Sequence, residues 1–290
     1  MNHFDKMMYE YYRVLNNAWK GQIKISVKQA IQTLSDLPKH ERLKNSHIGD
    51  IVQVVNMNMG EEFASLVRQE TKAITTKSMR LGINDAVKDI KSNISVGLYG
   101  IRQQKLETQI NKQNLFWIGN KFGTDMEAGF KKSLIEAVSS GYTKEMLANK
   151  LQEQFQHLGK QSTVYWQGLA EHTGLRIREF GRLEGYKKAG ARGYRLLVIL
   201  DDRTSEICQA LAAEDRVYPL DEAIDTMESL LSIDTSKSEL AEVKEQTKKI
   251  APWVAEKQIR YENDKPVGVN GDHTPFPPFH WKCRTTTVVV

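Results

Sequence analysis

The chain has 290 residues, enough for two domains of ordinary size, with 40% hydrophobic and 27% charged residues, close to the average of globular proteins. Its formal charge of +5 is a mild basic excess that fits a nucleic-acid partner without requiring one. No apolar run approaches the ~20 residues of a membrane span, residues 1–6 lack the pattern of a signal peptide, and two cysteines are too few for a disulfide framework, so a protein made and kept in a cytosol is expected.

The first part of the chain predicts helix after helix. Phe4, Met8, Tyr11, Leu15 and Ala18 form one apolar stripe, and Val27, Ala30, Ile31, Leu34 and Leu37 a second that ends at Pro38. Ile48, Ile51, Val52 and Val55 predict a third helix, Phe63, Leu66, Val67 and Ile74 a fourth, and Ile83, Ala86, Val87, Ile90 and Ile94 a fifth. Each stripe is one-sided, so these helices must pack on one another or on a partner. Tyr9, Tyr11, Tyr12, Trp19 and Lys20 mix rings with charge, as a nucleic-acid surface does, although rings at helical spacing are more often core.

The glycine-containing stretch 117–123 interrupts this pattern and suggests an interdomain joint, dividing a helical region 1–118 from a second domain 119–290. Within the second domain Gly141 can end one helix in a left-handed conformation and Thr143 can cap the next, which carries Leu147, Leu151 and Phe155. A further helix with Leu169, Leu175, Phe180 and Leu183 runs to Gly190. Residues 194–200 then predict a buried strand, with Asp201-Asp202 as the N-cap of a helix beginning near Ser205. A charged helical insertion is expected at about 221–262, and β-branched residues at 284–290 predict a last strand. The fold class expected is α+β, predominantly helical, with a small mixed C-terminal domain.

Two stretches carry chemistry. One is Asp202-Arg203-Thr204 followed by Cys208; the other is Pro277-Pro278-Phe279-His280-Trp281-Lys282-Cys283-Arg284. Cys208, His280 and Cys283 are soft or borderline ligands that could share one zinc ion, with a fourth donor from His273, Asp201 or Asp202. Two other readings stand beside this one. The cysteines could pack as small apolar groups while His280 bonds an aspartate, or Cys208 and Cys283 could form a disulfide, which a cytosol disfavours. Arg203 and Arg284 suggest ion pairs that tie the tail to the strand–helix turn, Thr204 could buttress that turn, and Pro277-Pro278 would bring the tail in extended.

Together the two stretches resemble the signature of the Mu F-like phage head morphogenesis family: an Asp-x-Arg-Thr turn with a following Cys, then Pro-Pro-x-His-x-x-Cys-Arg. The resemblance covers about residues 133–290, and either Asp201 or Asp202 could fill the acidic position. It implies a minor capsid protein of a phage or prophage that joins the head during assembly. Partners implied are the portal protein, other capsid or scaffold components, and packaged double-stranded DNA bound without sequence preference. The implied location is the virion interior near the portal, after assembly in the host cytoplasm. No enzymatic activity is expected, since the chain lacks a phosphate-cradling glycine loop, a Gly-x-Ser-x-Gly elbow and a His-Glu-x-x-His helix. The alternative is a hydrolase or nuclease-like toxin or effector using Cys208, His280 and Cys283.

Overall fold

The computed structural model describes residues 3–36, 59–90, 100–236 and 239–290. The order is α1 (His3–Ser35), α2 (Met59–Leu66), α3 (Arg68–Asp89), α4 (Ile101–Ser139), α5 (Lys144–Lys188), β1 (Gly193–Leu197), α6 (Glu206–Ala213), β2 (Tyr218–Pro219), α7 (Leu220–Leu231), α8 (Leu240–Ile250), a 3-10 turn, β3 (Ile259–Glu262), β4 (Lys265–Val269) and β5 (Thr286–Val289). The protein is predominantly helical, with small antiparallel sheets near the C-terminus. No helix among the described residues is long and apolar enough to cross a membrane. The helix expected over 48–55, the Leu37-Pro38 break and Ile94 lie outside the described residues.

Two compact units emerge. The first comprises Tyr9–Thr71 and Asn114–Gln167. Here the two helices expected before Pro38 are a single one, because Trp19 and Ile23 are buried and join the stripes into one row: Tyr11, Leu15, Trp19, Ile23, Val27, Ala30 and Leu34. Trp19, Phe63 and Trp166 meet as three mutually packed rings, with centroids 5.3 to 6.2 Å apart. The Tyr11 hydroxyl shares a 3.0 Å hydrogen bond with Thr71. Tyr11 and Trp19 are therefore core side chains rather than a nucleic-acid face. The stretch 117–123 does not interrupt anything: it lies inside α4. A mid-helix glycine costs only about 1 kcal/mol, and α4 carries buried residues at Leu115 and Ile118 and again farther on at Leu134 and Ala137. Gly141 (φ +65°) ends α4, and Thr143 Oγ1 accepts from Met146 N at 3.3 Å, as expected.

The second unit comprises Met1–Met8, Lys72–Gln113 and Gly168–Val290. The fourth and fifth helices expected from the sequence are regrouped here, with a break at Val67 and α3 continuous to Asp89. In this unit α3 and α5 approach backbone to backbone. A Cβ on Gly82 would stand 1.9 Å from the Arg178 carbonyl oxygen, and one on Gly181 2.3 Å from that of Met79. Beside this contact Arg178 bonds Asp85 at 2.6 Å and Arg182 pairs with Asp89. The close approach explains glycines whose spacing fits no phosphate loop.

α5 ends at Gly190 (φ +74°), and the chain turns into β1. β1 is the middle strand of an antiparallel sheet ordered β2-β1-β5, with Leu196 opposite Thr287 and Tyr194 opposite Tyr218. The buried strand expected over 194–200 is thus shorter, running from Gly193 and ending at Leu197. Tyr194 is buried, but Leu197, Ile199 and Leu200 are more than half exposed, because pairing with β5 stops at Leu197↔Thr286.

The outer edge of β5 is closed by side chains of α5. Glu179 accepts from Thr287 N at 3.1 Å and Thr287 Oγ1 at 2.8 Å and also bonds Thr286 Oγ1, while Arg182 donates to the Thr287 carbonyl. A buried carboxylate and a buried guanidinium thus take the donor and acceptor that an additional strand would take. Burial pushes the Glu179 pKa up, against the pull of Arg182 and the two threonines.

The segment 221–262 is not one charged helical insertion. It contains α7, α8 and the start of a hairpin in which β3 pairs with β4. The two-residue turn Asn263-Asp264 has positive φ at both positions (49° and 61°), the geometry that joins tightly paired strands. α6 packs on this hairpin, and its buried face joins Leu175, Val254, Ile259 and Phe279 in one apolar cluster that also contains Cys208 and Cys283.

Candidate metal centre

The turn after β1 is built by its own polar groups. Asp201 O accepts from Thr204 N at 3.0 Å, Asp201 Oδ1 accepts from Arg203 N at 3.0 Å, and Thr204 Oγ1 donates to Ile199 O at 2.6 Å. Thr204 buttresses the turn as expected. The N-cap of α6 is Ser205, not Asp201 or Asp202: its Oγ accepts from Cys208 N at 3.2 Å. That cap fixes the first turn of α6 and turns Cys208 inward.

The C-terminal stretch arrives from the other side. It does not come in extended, but bends at Pro275, Phe276 and Pro277, with a cis Pro277–Pro278 peptide. Phe279 is fully buried, and its carbonyl accepts from Val254 N at 3.1 Å. Cys283 N donates back to His280 O at 3.3 Å across a tight turn in which Lys282 is left-handed (φ 61°). Trp281 is held by stacking on His172, at 5.5 Å and 25°, and runs so close to α5 that only a glycine fits at position 168. Burial, helped by Arg176 and His280, holds His172 down to about 3, so that the stacked ring is neutral.

Here the two stretches meet. Cys208 Sγ lies 3.1 Å from His280 Nε2 and 3.8 Å from Cys283 Sγ, and Thr285 Oγ1 donates to Cys208 Sγ at 3.1 Å. His280 Nδ1 donates to Trp281 O at 2.8 Å, which aims Nε2 at Cys208 and at Ser205 Oγ, 2.8 Å away. Both thiols are free and buried. The three donor atoms lie within 4.8 Å of one another, so the cluster can hold a metal ion. A backbone carbonyl on the far ring nitrogen is what orients histidine ligands in metal sites.

In the metal-free cluster the negative charge gathers on one sulfur, and a metal ion would have to displace the protons of the other two donors. The Cys283 thiol beside it pulls Cys208 well below the usual thiol range, with further help from His280, Ser205 and Thr285 and against burial. Cys283 is pushed up correspondingly, first by its bond to Cys208 and then by burial. Burial works against the His280 imidazolium, but the Cys208 sulfur more than offsets it and the pKa is raised.

The other expected residues divide. Arg284 makes a two-bond pair with Asp201, one bond at 3.0 Å, and this pair does tie the tail to the turn. Arg284 holds the Asp201 carboxyl far below the usual range. Arg203 is mostly exposed, 3.6 Å from the same carboxylate, and contributes no buried pair. Asp202 is exposed, and of the two aspartates it is Asp201 that pairs with Arg284. His280 bonds a serine and a cysteine rather than an aspartate. None of the fourth donors considered joins the cluster. The His273 ring packs against Tyr218 and Phe279, and Asp201 is taken by Arg284. Ser205 and Thr285 are the partners that sequence reasoning missed. Ser205 was legible as the capping residue three positions before Cys208, whereas nothing local marked Thr285.

A small cleft opens on the cluster between Ser205, Arg203, Lys282, Arg284 and Thr285, with about 10 Å³ of space, enough for a single water molecule. In comparisons with known proteins, no family model, curated protein or solved structure matches the chain significantly.

Proposed function

We propose that this chain is a minor head protein of a phage or prophage, similar to the Mu F-like family, and that Cys208, His280 and Cys283 hold a structural zinc ion. One observation supports both parts. The two motif stretches, about 75 residues apart in sequence, place Asp201, Thr204, Cys208, His280, Cys283 and Arg284 in one cluster where strand, helix and tail meet. A signature whose members act as a unit is expected to converge in this way. Zinc suits the donors, because two thiolates at ~2.3 Å on a tetrahedral ion stand about 3.8 Å apart, matching the Cys208–Cys283 separation of 3.8 Å.

The role proposed is in head assembly through the portal protein, with DNA as a weak, sequence-independent contact of the basic chain. The test is co-expression with the portal protein of the same genetic element, followed by affinity purification through a tag on one partner. Stable co-purification at micromolar concentration supports the reading, and no association withdraws it.

One observation favours a second reading, a hydrolase or nuclease-like effector. Cys208 Sγ lies 3.1 Å from His280 Nε2 and borders a cleft, the arrangement of an activated thiol. A Cys208→Ser protein that stays folded but loses a measurable hydrolytic activity would promote this alternative.

A further inference from the structure

Three protein donors leave a tetrahedral ion one corner short. Among the described residues, no further His, Cys, Asp or Glu donor joins Cys208, His280 and Cys283. What does reach the cluster is the cleft lined by Ser205, Arg203, Lys282, Arg284 and Thr285, whose space fits one water. Building on the zinc reading, we infer that the fourth corner of the metal opens on this cleft and carries an exchangeable water that a small anion can replace.

The surroundings suit such a ligand. Ser205 Oγ is 2.8 Å from His280 Nε2, close enough to the ligand nitrogen to hydrogen-bond a group bound beside it. Arg203, Lys282 and Arg284 put three cations at the mouth, against the carboxylates of Asp201 and its neighbour Asp202. Two thiolates and a neutral imidazole cancel the charge of a divalent ion, so an entering anion meets no net negative centre. Two cysteines and one histidine with an open corner is the donor set of zinc sites that exchange ligands, whereas purely structural sites are closed by four protein donors. The ion would thus tie the tail to α6 and still present one position to solvent.

The test uses the full-length protein loaded with cobalt(II) in place of zinc, titrated with azide and followed by visible absorption. The expected result is one bound equivalent whose bands shift saturably as azide is added. Arg203→Gln, a change at an exposed side chain, should weaken azide binding about twofold to fivefold at low salt and less at high salt. One bound equivalent with bands indifferent to azide means a closed site, which overturns this inference and leaves the zinc reading standing. A protein that binds neither cobalt nor zinc overturns the zinc reading, and this inference with it.

Discussion

The sulfurs of Cys208 and Cys283, 75 positions apart in the chain, lie 3.8 Å from each other. Cys208 sits in the first turn of α6, three residues past the capping Ser205, and Cys283 immediately precedes the residues that lead into β5. The contact therefore closes a long loop at the point where β1, α6 and the C-terminal strand converge, and whatever strengthens it stabilises all three.

His280→Ala and Cys283→Ala should each destabilise the protein by about 1–5 kcal/mol, the lower end for a neutral partner left unpaired and the upper end for a buried charge. Thermal denaturation and limited proteolysis check this, with new cleavage expected around residues 199–206 and 275–285. Variants that melt and digest like the parent protein would show that the cluster holds nothing together.

Glu179 should matter as much, at a position no motif marked. Glu179→Ala strips Thr287 N–H and two threonine hydroxyls of their acceptor and leaves Arg182 buried beside them, at a cost of about 2–5 kcal/mol. Glu179→Gln keeps an acceptor and should cost less. Because burial raises the folded-state pKa, the carboxyl's contribution is fully present below its unfolded pKa and falls as pH rises through the folded one. Denaturant melts at several pH values should therefore show the parent gaining on the Gln variant toward acid, and a constant difference would count against this account.

Two glycine substitutions should act in opposite directions. Gly181→Ala puts a Cβ 2.3 Å from the Met79 carbonyl oxygen, so α3 and α5 must separate, at about 1–3 kcal/mol. Gly21→Ala adds a Cβ with nothing within 4 Å and should stabilise α1 by up to about 1 kcal/mol. Melting temperatures that move together would argue against the close helix contact.

The Asp201–Arg284 pair is partly exposed and should matter less than the cluster behind it. Arg284 lowers the Asp201 pKa in the folded state, so the pair's stabilisation is present above the usual carboxylate pKa and is lost as pH falls through the lowered value. Asp201→Asn should cost stability at neutral pH, and the difference should shrink as pH drops below about 4. A deficit that grows in acid would reverse this assignment.

Much of the helical architecture was legible in the sequence, because one-sided stripes such as Tyr11, Leu15, Val27 and Leu34 report directly on a buried face. Where one helix continued into another the reading fell short. Trp19 and Ile23 bridge two stripes, and glycines 119 and 123 lie within a helix that carries buried residues on either side of them. The hairpin was hidden by its charge, since Arg260, Glu262 and Lys265 resemble a helix surface while the Asn263-Asp264 turn is its only local signal. Of the site, the three donors and Arg284 were legible because their types and spacing are chemical. Thr285 was not, and Ser205 was legible only as a cap, because a hydroxyl's bond to a sulfur or an imidazole becomes visible only when folding brings the two together. Glu179 and Arg182 escaped notice for the same reason, being single charges on a long helix whose partners lie more than a hundred residues away.

The most direct test of the central claim, that the two stretches form one metal-holding closure, is zinc K-edge X-ray absorption on the purified full-length protein. The account predicts one equivalent of zinc with two sulfur neighbours at about 2.3 Å and two lighter ones at about 2.0–2.1 Å, and loss of this signal in Cys283→Ser. Absence of zinc from protein prepared with the metal present, or a first shell without sulfur, would contradict it.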